Sequence, residues 1–501
     1  MAAALDAVLD PATNQVVCRV TLVNPAAFPG CAPLNLFGPT SESPQALAYV
    51  TDYTLSSAHS TQDEFTASIT GAPFGTWAGP VNMALSAELR RSGFSTTSQV
   101  SPDETVNCAL LPNTMNCSTN VNSPTNLHQV TFRIVSPVSQ TIREAAIESD
   151  LPLMKDVRFA QAVNVNLAAR YADYASIDRS WTWKVGLDWH LNDQLRVRAT
   201  RSRDFRAPTL NDLYAPATIS RGNFTDQLTN QQLVSIPSQG GGNPDLQSEI
   251  GHTWTGGFVY QPRWLQGLSL TVDAYRIEIE NAFANLTGSN ATVQRLCIAS
   301  GGTSPYCDLI VRPLPYTNTT PANNATKFYN VSLNAASTTS HGLDIESNYS
   351  TRLFNRSLSL RLLATWQPEL RTVIPGFSDI DQAGSAGTPE WRLTGLVNLA
   401  LSEHLRANLS ERWRSPIKWN ADPSIVFAVP KVPSFATTNL NLTYSTLAHD
   451  ALDVYVNVQN LFDREPPLWT AATSNPGVTG AYVRTDDFVG RYFTAGLRLR
   501  L

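Results

Sequence analysis

The chain has 501 residues, with 36 Lys and Arg against 41 Asp and Glu, a formal net charge of −5. That mildly acidic balance gives no basic footprint for nucleic acid. Charged residues make up only 15% and aromatic residues 9%, which excludes a disordered, highly charged chain. No apolar run reaches the ~18 residues of a membrane-spanning helix.

The N-terminal stretch MAAALDAVLDPATNQVV has no basic region and soon meets Asp6, Asp10 and Pro11, so no cleavable leader is expected. Six cysteines follow in three close pairs: Cys18 with Cys31, Cys108 with Cys117, and Cys297 with Cys307. Each pair sits among Asn, Pro, Ser and Thr, so each is expected to staple one loop in an oxidising compartment. No C-x-x-C occurs, and no zinc site is expected.

From about residue 56 onward the dominant signal is alternation with period two. In Val81, Met83, Leu85, Ala87 and Leu89 the apolar residues occupy one parity, with Asn82, Ser86, Glu88 and Arg90 on the other. The pattern returns at Val163 to Tyr171, Trp181 to Leu191, Leu452 to Val458 and Phe493 to Leu501. Such runs predict strands with one apolar and one polar face. About fifteen are expected, near 56–71, 79–96, 139–151, 162–177, 180–191, 194–206, 250–262, 268–280, 340–353, 358–370, 388–402, 405–417, 434–446, 452–463 and 489–501. Near 268–280 the apolar parity changes, from Leu268, Leu270 and Val272 to Tyr275, Ile277 and Ile279. A bulge or exit from the apolar layer accounts for such a change.

The connections alternate as well. Short ones, such as 72–78, 192–193 and 403–404, take turns with long ones, such as 97–138, 207–249 and 281–339. An antiparallel meander with short turns at one end and long loops at the other predicts an all-β transmembrane barrel. The domain reading is residues 1–55 as part of an extracellular loop and 56–501 as barrel.

Several segments resemble TonB-dependent outer-membrane receptors. They are LRVRATRSRDFRAPTLNDLY from Leu195, GGNPDLQSEIGHTWTGGFVYQP from Gly241, VNVQNLFDREPP from Val456, GRYFTAGLRLRL from Gly490, and FGTWAGPVNMALSAELR from Phe74. The residues carrying the resemblance include Asn243, Pro244, Glu249, Asn460, Leu461, Phe462, Asp463, Gly490, Arg491 and Phe493. Each has a structural account. Asn243-Pro244 starts a turn, Asn460 and Asp463 close an Asx-type turn, and Glu249 is placed to bond loop amides or Arg206.

The resemblance implies localisation in the outer membrane and active uptake of a scarce nutrient: a siderophore-iron complex, cobalamin, an oligosaccharide or a peptide. It implies as partners the membrane lipid, the outer-membrane assembly machinery and the TonB energy-transducing complex. It also implies a barrel of about 22 strands around a plug, so about seven strands, the plug, the coupling box and the leader are expected to be missing ahead of residue 1. An odd number of up-and-down strands cannot close antiparallel, so the chain alone is expected to be incompetent for transport. The competing readings are a passive porin and a β-rich surface adhesin; no adhesin-like repeat is found.

No enzyme is expected. The seven His residues are scattered, and neither H-E-x-x-H nor G-x-S-x-G occurs. No catalytic, metal or cofactor-binding residue is assigned, and the ligand-binding residues are left open. The five lysines leave 31 arginines; parity places Arg361, Arg392, Arg406, Arg498 and Arg500 on the lumen side.

Overall fold

The computed structural model describes residues 2–38, 41–53, 55–99, 108, 110–111, 134–175, 179–422, 430–445, 452–469, 481–483 and 485–499. Wherever the sequence alternates, the backbone is extended, and one long ladder of strands results. Its members are β1 (Ser56–Thr76), β2 (Gly79–Ser98), β3 (Val135–Val157), β4 (Ala160–Tyr174) and β5 (Arg179–Asn192). Then come β6 (Leu195–Arg206), β7 (Glu249–Tyr260), β8 (Leu268–Thr287), β9 (Lys327–Leu353) and β10 (Arg356–Val373). The last are β11 (Trp391–Ala400), β12 (Leu405–Arg414), β13 (Phe435–Ser445), β14 (Leu452–Gln459) and β15 (Tyr492–Leu499).

Each strand pairs antiparallel with the next, and the sheet curls into a barrel. No register joins β15 to β1 among the described residues. Both run toward the short-turn end, as an odd strand number requires. β1 is exposed at 20 of its 21 positions and β15 at seven of eight.

The outer face is apolar and carries aromatic rings at two levels. On β5, Trp181 and Trp189 lie eight residues apart. That is about 27 Å along a strand, or about 21 Å along the normal at a ~40° tilt, against the ~25 Å apolar band of outer-membrane barrels. Trp183, Trp254, Trp366 and Trp391 mark the long-loop level, and Tyr260 and Tyr349 the short-turn level. No helix among the described residues is long and apolar enough to cross a membrane.

The parity change in β8 is an exit from the apolar layer. Pairing with β7 is unbroken from Leu270 to Glu280, so no bulge lies there; the register with β9 shifts only beyond Ile279, between Ile279 and Ala282 and again between Ala282 and Phe283. Beyond Val272 the outward positions become Arg276 and Glu278, which pair with each other in solvent at 2.5 Å. The inward positions become apolar because a separate core begins. β8 and β9 run on past the membrane to Thr287 and Lys327, so β9 starts well before the expected residue 340. A hairpin, Thr218–Asp226 with Gln231–Gly240, pairs with the start of β9. Helix Ala291–Ala299 and the short 3-10 turn Pro305–Leu309 cover it. Phe224, Leu286, Val293, Leu309, Ile310 and Phe328 fill the core, with Phe224 stacked on Phe328 at 5.5 Å. We call this unit the head.

Cys297–Cys307 is a disulfide within the head. Cys18–Cys31 closes a small N-terminal unit in which Cys18 and Val20 are fully buried. Cys117, Arg500 and the terminal Leu501 lie outside the described residues.

Candidate functional site

Inside the barrel, the polar parity builds a lumen wall of cross-strand charge pairs. Arg196 donates to Asp188 at 2.7 Å, Arg198 clasps Asp273 with two nitrogens, and Arg361 meets Glu346 at 3.0 Å. Glu88 and Glu144 stand opposite one another on β2 and β3, with Arg90 and Arg170 beside them. Asp344 is held by the Thr365 hydroxyl at 2.8 Å. These partners sit one strand apart because inward residues repeat every second position and neighbouring strands are in register.

One corner of the wall is different. At its long-loop end, β11, β12 and β13 direct Arg392, Arg412 and Arg414 inward around a cavity of about 430 Å³. Arg392 lies directly opposite Arg414, and Arg412 sits one inward position below, between Thr394 and Thr437. Asn439, Gln459 and Tyr492 also line it, and so do the carboxylates of Asp486 and Asp487.

Arg414 is committed to structure. It grips Asp486 at 2.7 and 2.5 Å and donates to the carbonyls of Ser415 and Pro433, and both charged side chains are buried. Arg392 has one 3.3 Å contact, to Gln367. Arg412 has no carboxylate partner among the described residues. With Arg414 and Asp486 paired, Arg392 and Arg412 outnumber the one remaining carboxylate of the lining, Asp487, so the corner keeps a net positive charge, with amide, hydroxyl and aromatic groups around it. Such a set of donors suits an anion larger than a single phosphate.

The motif residues have structural positions. Asn243 donates to the Ser332 carbonyl at 2.8 Å and accepts from the Asp245 amide, with Pro244 between. Glu249 accepts from Arg206 at 2.5 Å and from the Phe283 amide at 2.7 Å, tying the start of β7 to β8 and β6. Asn460, at φ +46°, exchanges two 2.9 Å bonds with the Arg464 backbone. Asp463 accepts from the Arg491 amide at 2.8 Å, and Arg491 donates to the Leu461 carbonyl. The segments at 460–463 and 490–491 thus form one clasp across the last loop. Gly490 takes φ +81° there, with Asp463 Oδ1 3.4 Å from where a Cβ would stand. Phe462 and Phe493 are exposed, Phe493 on the outer face. None of these residues lines the arginine corner.

Sequence reasoning named Arg392 but missed Arg412 and Arg414. Their even numbers on β12 were a usable signal. Asp486 had none, since it meets Arg414 across 72 residues of chain. Among the described residues, no group of three or more His, Cys, Asp or Glu is placed to hold a metal ion.

Solved structures of similar fold are outer-membrane receptors. A mutant ferric enterobactin receptor PfeA of Pseudomonas aeruginosa is 17% identical with a TM-score of 0.57, over 88% of this chain and 54% of that one. The siderophore receptor PirA of Acinetobacter baumannii is 13% identical with a TM-score of 0.54, over 88% and 55%. The ferripyoverdine receptor of the outer membrane of Pseudomonas aeruginosa is 14% identical with a TM-score of 0.52, over 89% and 49%. This chain spans about half the length of each. Among curated proteins compared by sequence, none matches. Residues 35–461 match the family described as TonB dependent receptor-like, beta-barrel. With that match over most of its length, the chain belongs to the TonB-dependent receptor β-barrel family of the outer membrane, a family of receptors rather than enzymes.

Proposed function

We propose that this barrel wall serves energised uptake of a scarce nutrient, and that the nutrient is an anionic chelate of the ferric-siderophore class. The supporting observation is the corner of Arg392 and Arg412, two lumen-facing guanidinium groups with no ion pair among the described residues, set among hydrogen-bonding side chains and a single unpaired carboxylate, Asp487. Buried or half-buried guanidinium groups favour planar, multiply charged oxygen ligands. Neutral cobalamin or an oligosaccharide gains nothing from that charge. The similar solved receptors whose names mention ferric enterobactin and ferripyoverdine point the same way.

In this reading the inner-membrane TonB complex acts on a plug seated inside the barrel. The outer-membrane assembly machinery inserts the strands, and the surrounding lipid holds their apolar face.

The test is ligand binding to the full chain in lipid nanodiscs, followed by tryptophan fluorescence. A ferric tris-catecholate is expected to bind, and Arg392→Gln with Arg412→Gln to weaken it about tenfold or more. Cobalamin is expected not to compete. Equal binding by the double variant overturns the site. Passive conductance without saturable binding of any chelate overturns the receptor reading in favour of a porin.

A further inference from the structure

Outward parity on the strands ought to be apolar; Arg91 on β2 and Arg143 on β3 break it singly, and four further arginines break it together on neighbouring strands. Arg179 on β5, Arg201 and Arg203 on β6, and Arg276 on β8 all occupy outward positions at the long-loop end. They form one patch, because β5, β6, β7 and β8 are successive neighbours. The registers put Arg203 beside Trp183, and Arg201 beside Val185 on one side and Trp254 on the other, with Arg276 next to Trp254. The Arg201 guanidinium lies 4.6 Å from the centre of the Trp254 ring. Arg203 donates to the Trp181 carbonyl.

The outer two arginines have local counter-charges, Arg179 with Asp173 at 3.7 Å and Arg276 with Glu278 at 2.5 Å. The inner two, Arg201 and Arg203, have no carboxylate partner among the described residues. At the other end of the same strands the outward residues are Trp189, Val197, Phe258, Tyr260, Leu268 and Leu270, with no arginine.

Charge at the lipid-facing centre of a barrel costs about 2–4 kcal/mol, and near the interface about 0–1. Arginines at the indole level therefore sit where head groups are, not where tails are. A guanidinium held over an indole keeps its edge N–H groups free to point outward. Phosphate oxygens accept from such a fork in pairs.

We propose that Arg201, seated on Trp254, and Arg203, beside Trp183 in the ladder, bind a phosphate on the head group of a lipid in the outer leaflet. The occupant is lipid rather than free phosphate because the apolar face of β5 to β8 continues directly below the arginines and takes the acyl chains. The one-sidedness of the patch makes the contact specific for the leaflet on the long-loop side. This surface is on the outside of the barrel, separate from the lumen corner, so it stands or falls independently of the uptake reading.

The experiment is native mass spectrometry of the full chain released from nanodiscs of phosphatidylcholine doped with bisphosphorylated lipid A. Parallel samples use dephosphorylated lipid A, or bisphosphorylated lipid A with millimolar inorganic phosphate. Retained lipid A is expected for the unaltered chain, with about tenfold less for the Arg201→Gln/Arg203→Gln variant and for the dephosphorylated lipid. Inorganic phosphate is expected not to displace it. A lumen-facing control, Arg361→Gln, is expected to retain lipid A unchanged. Trp254→Leu keeps both charges and removes the ring under Arg201; it is expected to lose retention about threefold, which guards against an arginine variant that fails to fold. Equal retention of both lipids, or by the double variant with an unchanged β-sheet spectrum, overturns the site. Displacement by inorganic phosphate overturns the lipid as its occupant.

Discussion

Replacing Asp226 by Asn should unlock the head while leaving the barrel wall intact. Asp226 is fully buried and its carboxylate accepts five bonds: two from Arg312 at 2.7 and 2.8 Å, and one each from the amides of Ala325, Leu228 and Thr229 at 3.0, 3.0 and 3.4 Å. The Arg312 side chain is 2% exposed. Asn preserves the shape but turns one acceptor into a donor and leaves the guanidinium without a counter-charge. Stranding a buried charge costs about 3–5 kcal/mol. Local opening should then become roughly 150- to 4,500-fold more frequent. Hydrogen exchange of peptides from 218–240 and 288–328 measures this, with peptides from β4 to β6 as internal reference. Replacing both partners, Asp226→Leu with Arg312→Met, should recover most of the loss, since a buried pair is often exchangeable for apolar groups. An Asp226→Asn head that opens less than about tenfold faster refutes the reasoning.

Several other outcomes follow from the same geometry. Burial alone would raise the Asp226 pKa, but Arg312 and the amides outweigh it and hold the carboxyl below its usual range. The head should keep this stabilisation above the unfolded value of about 3.9 and lose it as pH falls through the depressed folded value; in Asp226→Asn that acid-dependent step should vanish from the exchange profile. Converting Cys297 and Cys307 to Ser should cost the head about 2–3 kcal/mol in thermal or denaturant unfolding. Gly267→Ala should cost about 1–3 kcal/mol, because its φ is +88° and a Cβ would strike the Ser350 carbonyl; Gly496→Ala meets only the Tyr455 ring, which can swing away, and should cost less than about 1 kcal/mol. Arg198→Gln removes a half-exposed lumen pair with Asp273 and should cost under about 1 kcal/mol in the same assay.

The wall was legible in the sequence because lipid on one side and a polar lumen on the other impose a strict two-residue period. Trp181 to Leu191 carries that period without a break, and the registers of β4 to β6 follow it as far as His190. The head was not legible. Its core joins Phe224, Leu309 and Phe328, residues about a hundred positions apart at the extremes, and no local rule announces such contacts. The parity change in β8 was visible, but only the pairing with β7 distinguished a bulge from an exit. The same limit hid the clasp of Asp463 with Arg491: each segment signalled a turn, and neither named the other. Charge on the wrong parity, as at Arg201 and Arg203, was present in the sequence throughout. It became interpretable once the neighbouring strands gave those residues a level and a face.

The continuation of β8 past Val272 also fixes a height. From Val272 to Leu286, in the head's core, is 14 residues of strand, which at ~3.3 Å each and a ~40° tilt carries the head to roughly 35 Å from the apolar layer at Leu286. A folded body at that elevation presents a shaped epitope rather than a loose peptide. Antibodies or phage tail fibres that recognise it would be selected for its three-dimensional outline. Sequence drift in residues 218–240 and 288–328 would then be restrained by the need to keep that outline folded.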